Sequence, residues 1–232
     1  MKKYLIAVIF ITPIINCFSQ KMKIGLDGGA TYSSFRGSEI IDDVKSGFGR
    51  VVGLSFEYFL APNFSLKSNL NLEQKNNSYT GVTSSISYDN EALPIRKSLQ
   101  TKNKNTYDYI SLATMAKYYF GPDHSFFING GGVYAHLNKD KTTTETKEIE
   151  FVNPEPTQRS NYPLAESFNH SDYGVTLGIG KSFIINDKCG LSIEFRDNLG
   201  LSNVIEDTMK YSTTGDIKTN SVNLLLGFEM NL

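Results

Sequence analysis

The stretch Val222-Asn223-Leu224-Leu225-Leu226-Gly227-Phe228-Glu229-Met230-Asn231-Leu232 decides the fold. Val222, Leu224, Leu226, Phe228, Met230 and Leu232 fall on one face of an extended chain. Asn223, Gly227, Glu229 and Asn231 fall on the other, with Leu225 as the exception. Successive side chains of a β-strand point to opposite faces, so a period of two marks a strand with one apolar face. With Leu232 at its end, the sequence is expected to finish inside a strand.

Seven earlier segments repeat the pattern. Met22, Ile24 and Leu26 alternate with Lys23, Gly25 and Asp27, and the strand is expected to run to Tyr32. A second spans Phe48 to Leu60, with Val52, Leu54, Phe56 and Tyr58 opposite Gly53, Ser55 and Glu57. A third spans Phe64 to Gln74, with Leu66, Leu70 and Leu72 opposite Lys67, Asn69, Asn71 and Glu73. The fourth, Tyr107 to Phe120, carries Ile110, Leu112, Tyr118 and Phe120 opposite Ser111 and Lys117. The fifth, Phe126 to Asn138, has no readable facing, because Gly130, Gly131 and Gly132 blur its phase. The sixth sets Tyr173, Val175, Leu177 and Ile179 against Gly174, Thr176, Gly178 and Gly180, and the seventh sets Leu191, Ile193 and Phe195 against Ser192, Glu194 and Arg196. Eight strands is an even number, suited to a closed antiparallel barrel.

The connections carry independent information. Ala61-Pro62-Asn63, Gly121-Pro122-Asp123-His124-Ser125 and Asn186-Asp187-Lys188-Cys189 are short and built from turn-forming residues. The other four, Ser33 to Gly47, Asn76 to Asn105, Lys139 to Asn169 and Val204 to Asp216, are long and polar. Short and long strictly alternate. An up-and-down barrel then gathers the short turns at one end and the long loops at the other, as in outer-membrane barrels with short periplasmic turns and longer extracellular loops. Both chain termini are expected on the periplasmic side.

Composition narrows the class. The 232 residues carry a formal net charge of −1, with neither the basic footprint of a nucleic-acid binder nor an acidic tail. Past the first 20 residues, no stretch reaches the roughly 20 apolar residues of a spanning helix. A barrel strand needs no such run, because it is apolar only at alternate positions. The start of the chain reads as a targeting signal: Lys2 and Lys3, an apolar run from Tyr4 to Ile15, then Cys17 and Ser19 before Gln20. Residues 1–19 are thus expected to be a signal peptide and residues 20–232 one outer-membrane β-barrel domain. A lipoprotein with acylated Cys17 is the rival, disfavoured by Asn16 just before it. Cys189 remains as a lone cysteine in a turn, without a disulfide partner.

A lipocalin-like soluble barrel would alternate in the same way with its apolar face inward. Two features favour lipid outside. Tyr58, Phe59, Phe64, Tyr118, Tyr119, Phe120, Phe126 and Phe127 cluster at the short-turn end, resembling an interfacial aromatic girdle. The polar face is rich in Gly, Ser, Thr and Asn, which suit the narrow interior of an eight-stranded barrel. Asp27, Glu57, Lys67, Glu73, Lys117, Glu194, Arg196 and Glu229 then point inward as a plug of ion pairs, leaving no open pore.

Catalytic chemistry is sparse. His170-Ser171-Asp172 has the residue types of an acyl hydrolase, yet adjacent strand residues face opposite ways and a nucleophile needs its base within hydrogen-bond reach. Glu39, Asp42 and Asp43 lack the spacing and glycine of a calcium loop, no Cys or His spacing resembles a zinc site, and no helix follows the glycines at 130–132, 178 and 180 as a phosphate loop requires. Close strand approach or bulges account for those glycines better. Thr142-Thr143-Thr144 and Pro154-Glu155-Pro156 suit a mobile surface loop. No catalytic, metal or cofactor-binding residue is assigned.

Several short motifs carry a family resemblance. The signal ending in Ser19-Gln20, Lys117-Tyr118-Tyr119-Phe120-Gly121, the Gly178-x-Gly180 pattern, and Glu194-Phe195-Arg196 leading to Gly200-Leu201-Ser202-Asn203-Val204 resemble the PorT-like outer-membrane β-barrel family of Bacteroidota. The resemblance spans about Lys21 to Leu232. Ser111-Leu112-Ala113 departs from a Glu-Ile-Pro type sequence common in the family, and Leu232 stands where many outer-membrane barrels end in Phe. The resemblance implies an outer-membrane location in a Gram-negative cell and insertion by barrel-assembly machinery, and no catalytic residues.

The expected protein is a non-enzymatic, monomeric outer-membrane barrel. It would be surrounded by outer membrane lipids, and its long loops would serve an extracellular ligand or a secretion partner, in adhesion or an envelope role. A lipid-modifying barrel enzyme centred near His170 and a soluble lipocalin-like carrier are the alternatives.

Overall fold

The computed structural model describes residues 22–38, 41, 43–88, 94–150, 168–205 and 215–232. Its strands are β1 (Met22–Arg36), β2 (Lys45–Ala61), β3 (Phe64–Tyr88), β4 (Pro94–Phe120), β5 (Phe126–Ile149), β6 (Ser171–Ile184), β7 (Cys189–Gly200) and β8 (Lys218–Asn231). Each pairs antiparallel with the next, and β8 pairs with β1, so the sheet closes into an eight-stranded barrel. Cross-strand neighbours followed once around the wall run Ile24, Phe56, Ser68, Thr114, Gly132, Val175, Leu199, Asn220 and back to Ser34, ten residues further along β1. A stagger of that size in eight strands tilts them by about 40° from the barrel axis.

Burial alternates with the pattern of the sequence. Leu54 and Leu226 are 59% and 64% exposed on the outside, whereas Lys117 and Arg196 are 0% and 2% exposed inside. All eight charged residues expected in the lumen are buried there. A soluble carrier with an apolar lumen is the reverse of this arrangement, so the lipocalin-like alternative falls.

The facing of β5 is now plain. Its pairing with β6 runs unbroken from Phe126 to His136, with Phe127, Asn129, Ala135 and Leu137 inward and Ile128, Tyr134 and His136 outward. The glycine run sits in regular register with β6, so it is no bulge. Gly131 faces inward, where a Cβ would come within 2.7 Å of the Met115 Cα, so close strand approach accounts for it.

Two expectations need correcting. Asn76–Asn105 and Lys139–Asn169 are not loops throughout. β3 and β4 stay paired as far as Tyr88 and Pro94, and β5 follows β4 to Ile149, so Thr142-Thr143-Thr144 lies in a strand. These extensions leave the barrel as a three-stranded sheet at the end opposite the short turns. Above the apolar belt both strand faces meet water, so the alternation that reveals a membrane strand vanishes while the backbone ladder continues. Among the described residues, the β2–β3 ladder ends at Lys45–Ser78 and the β5–β6 ladder at His136–Ser171, with one further bond from the Leu137 N–H to the His170 carbonyl at 2.7 Å. Cys189 closes the turn after β6 and is also the first residue of β7; the Asn186 side-chain oxygen fixes that turn by accepting the backbone N–H of Lys188 and Cys189 at 2.9 and 2.8 Å. Residues 1–19, Glu39, Asp42 and Pro154-Glu155-Pro156 lie outside the described residues.

The sheet extension carries no apolar belt and is expected to be dispensable for closure. Replacing Tyr79–Asn103, a cross-strand pair, and all between by a tight turn should leave a barrel whose unboiled band still migrates differently from the boiled one. Loss of that shift would make the extension part of the folding core.

Candidate functional site

The lumen is packed in layers. At the short-turn end Glu57 accepts hydrogen bonds from Ser65 Oγ, Tyr119 Oη and Lys117 Nζ at 2.5, 2.7 and 3.1 Å. Glu229 lies 3.7 Å from Lys117 and 3.5 Å from Lys23. Lys117 also sits over the Phe127 ring at 4.1 Å and the Tyr119 ring at 4.7 Å, within cation–π range. Phe59 stacks on Tyr119 at 5.7 Å. This corrects part of the expected girdle: Phe59, Tyr119 and Phe127 share the inward parity and close the barrel floor, while Tyr58, Phe64, Tyr118, Phe120 and Phe126 face outward. A second outward set, Tyr32, Phe48, Tyr134 and Tyr173, lies toward the opposite rim. The sequence shows this set only as scattered aromatics.

The middle layer is an ion-pair network. Arg196 Nε donates to Glu194 Oε1 at 2.5 Å, and Asn129 Nδ2 donates to the same oxygen at 3.0 Å. Lys67 lies 3.4 Å from Asp27 and 3.8 Å from Glu194. Asn69 donates to Asp27 and accepts from Arg196 at 3.4 Å. Gly178 makes this layer possible: a Cβ there would lie 2.5 Å from Asn129 Oδ1 and 2.8 Å from Glu194 Oε1. The Gly178-x-Gly180 pattern is therefore room for buried side chains, with Phe127 lying against Gly180.

Above it, Glu73 accepts from Ser221 Oγ at 2.8 Å and Asn223 Nδ2 at 3.2 Å. Asp172 accepts from Ser202 Oγ and Thr219 Oγ1, each at 2.6 Å, and lies 3.8 Å from Lys75. Asp172 and Lys75 were not among the expected lumen charges, because each stands near the end of a recognised apolar alternation. Their parity, continued one step further along β6 and β3, places them inside.

The long-hairpin end is capped by an apolar cluster that the sequence did not reveal. Ile41, Phe168, Val204, Ile205 and Ile217 come from connections and pack on Tyr107, Tyr109, Ala135 and Leu137. The rings of Phe35, Tyr107 and Phe168 meet edge-on or tilted, with centroids 5.2 to 5.9 Å apart. Asn203 pins the cap, its side-chain oxygen accepting the N–H of Ile205 at 3.2 Å and of Ile217 at 3.1 Å. Each such residue is isolated in its loop, so no periodicity announces it.

The residues weighed as a hydrolase centre do not converge. Asp172 points into the lumen, while Ser171 faces outward and shares a 3.0 Å hydrogen bond with Tyr134 Oη. His170 stands 6.0 Å ring to ring from His136. Among the described residues no group of three His, Cys, Asp or Glu side chains could hold a metal ion, and Asp43 lies at an exposed turn.

A closed barrel with apolar wall and polar core is matched over residues 18–206 by the family model described as outer membrane protein beta-barrel domain. The chain belongs to that family. As an outer membrane β-barrel it is surrounded by lipid. Among solved structures, Neisserial surface protein A is 12% identical, with a TM-score of 0.43 over 91% of this chain and 97% of that one. The attachment invasion locus protein of Yersinia pestis is 12% identical, with a TM-score of 0.40 over 90% and 99%. Outer membrane protein W of Escherichia coli is 11% identical, with a TM-score of 0.41 over 92% and 99%. Among curated proteins no sequence matches this chain.

Removing one partner of the buried network leaves the others as unpaired charges in a low-dielectric lumen, at a cost of about 3–5 kcal/mol. Arg196→Ala is expected to destabilise the barrel by that amount, read as a lower unfolding midpoint in detergent, and an unchanged midpoint would show Glu194 content without it. Gly178→Leu should also destabilise the barrel, because its side chain would enter the space of Asn129 and Glu194.

Proposed function

We propose that this outer membrane β-barrel is a non-conducting, non-enzymatic anchor that holds its long-hairpin sheet outside the cell for binding, in an adhesion, envelope or secretion-associated role. One observation carries the reading: a lumen sealed at both ends stands beneath a three-stranded sheet that extends well past the rim. A filled lumen offers no path for solutes, and among the described residues no cluster of catalytic side chains converges in it.

The reading includes export. Residues 1–19 act as a cleaved signal peptide, the barrel-assembly machinery inserts the chain as a monomer, and the short turns stay in the periplasm. Lys117 to Gly121 and Glu194 to Val204 support affiliation with the PorT-like barrels of Bacteroidota. Ligand and partner are left to the sheet: Lys104 on its central strand β4 and Glu145 on its edge strand β5 are bridged at 2.7 Å, and that bond holds the Glu145 carboxyl below its usual range.

Two measurements test the proposal. An epitope tag placed in the 89–93 connection should label intact cells; labelling only after permeabilisation would reverse the barrel. Purified protein in planar bilayers should show no conductance steps, and reproducible steps would contradict a sealed lumen.

A further inference from the structure

On the outer wall, a groove of about 540 Å³ lies where the barrel passes into the hairpin sheet. Val52, Leu72 and Ile110 line one side of it, and Arg50, Gln74, Asp108 and Asn138 the other. Two irregularities shape it. The β2–β3 register slips between Gly47 and Val51, and the β4–β5 register slips beside Asp108, where Asn138 is the extra residue. A bulge bends and twists its strand, which opens a recess in an otherwise even wall.

The chemistry changes across this recess. The apolar belt stops at the row Leu72–Ile110–His136, and the next rows outward pair Asp108 with Lys139, Thr106 with Lys141, and Lys104 with Thr143. Among the described residues, Arg50, Lys102, Lys104, Lys139, Lys141 and Lys147 share this outer face with two carboxylates, Asp108 and Glu145. Glu145 is taken by Lys104, and Asp108 accepts the Gln74 amide at 3.0 Å. Among the described residues no carboxylate lies within ion-pair distance of Arg50, Lys139 or Lys141. One row along a strand tilted by about 40° is a rise of about 5 Å. That places Arg50 and Lys139 in the head-group zone, which is about 5–7 Å deep on each side of the hydrocarbon.

We propose that this groove binds the phosphate-bearing head group of an outer-leaflet lipid. Acyl chains run down Val52, Leu72 and Ile110, and Arg50 and Lys139 hold the phosphate, with Lys141 reaching back from the row above. The assignment to the outer leaflet rests on the orientation proposed above. The groove's apolar side gives free phosphate nothing to bind, and its position at the belt edge suits a ligand that is itself half in hydrocarbon. Arg offers a planar fork for phosphate oxygens, and the two lysines add point charges.

The test uses purified, refolded full chain in neutral detergent, with diphosphorylated lipid A, lipid A stripped of phosphate, and inorganic phosphate as probes. Wild type should bind diphosphorylated lipid A about tenfold or more tightly than the stripped form. Arg50→Ser/Lys139→Ser/Lys141→Ser should lose that preference, with its unboiled gel migration unchanged. A distal control, Lys97→Ser/Lys102→Ser/Lys147→Ser, should keep it. Equal binding of the two lipid A forms by wild type, an equal loss in the distal control, or displacement of lipid A by millimolar inorganic phosphate would each overturn the proposal. A reversed orientation in the epitope experiment would remove the proposed surface role and leave these affinities untouched, so the two failures are separable.

Discussion

Hydrocarbon offers no hydrogen-bond partner, and everything in this molecule follows from that. Each backbone N–H and C=O in the apolar belt must be paired within the chain, and a sheet meets the demand only by having no edge. The β1–β8 seam removes the edge. Once the wall is closed, side chains facing lipid must be apolar, and the only place left for polar ones is the lumen. The alternation of each strand within the apolar belt is the record of that division.

The lumen then poses a second problem, since eight strands enclose too little space for bulk water. Charges there need partners of their own. Glu194 meets Arg196, Lys67 and Asn129; Glu57 meets Lys117, Tyr119 and Ser65; Asp172 meets Thr219, Ser202 and Lys75. Gly25 and Gly178 make room by having no side chain, as the 2.5 Å approach of Ser55 Oγ to a Cβ at Gly25 shows. Leu225, the one break in the alternation of the last strand, is an apolar filler inside the same space.

Much of this is legible in the sequence, because the constraint is periodic. Strand number, the facing of every strand but β5 and the eight inward charges follow from a period of two, the up-and-down order from the alternation of short and long links, and the turns between β2–β3, β4–β5 and β6–β7 from Pro, Gly, Asn and Asp. What was not legible lacks a period. The Thr-rich run at 142–144 and the Lys- and Asn-rich run at 102–105 read as loop because water on both faces leaves no apolar contrast. Phe59, Tyr119 and Phe127 read as girdle because their ring type fits either face and only parity separates them from Tyr58, Tyr118 and Phe126. The apolar cap joins Ile41, Phe168 and Ile217 from three separate connections, a proximity that only the folded chain creates.

The seam that closes the barrel also sets the order in which it can form. Every other strand pair joins neighbours along the chain, but Lys23 and Glu229, which meet across β1 and β8, are 206 positions apart. Closing so long a loop carries the largest entropic cost of any pairing in the molecule. The β3–β4 hairpin, local in sequence and the most extensive ladder present, carries the smallest relative to the bonds it makes. Assembly that begins there and spreads outward in both directions leaves a curling sheet with two bare margins, β1 and β8, until the last step. During that interval the margins must be shielded from other chains, so the span between residues 23 and 229 measures how long the nascent wall depends on help.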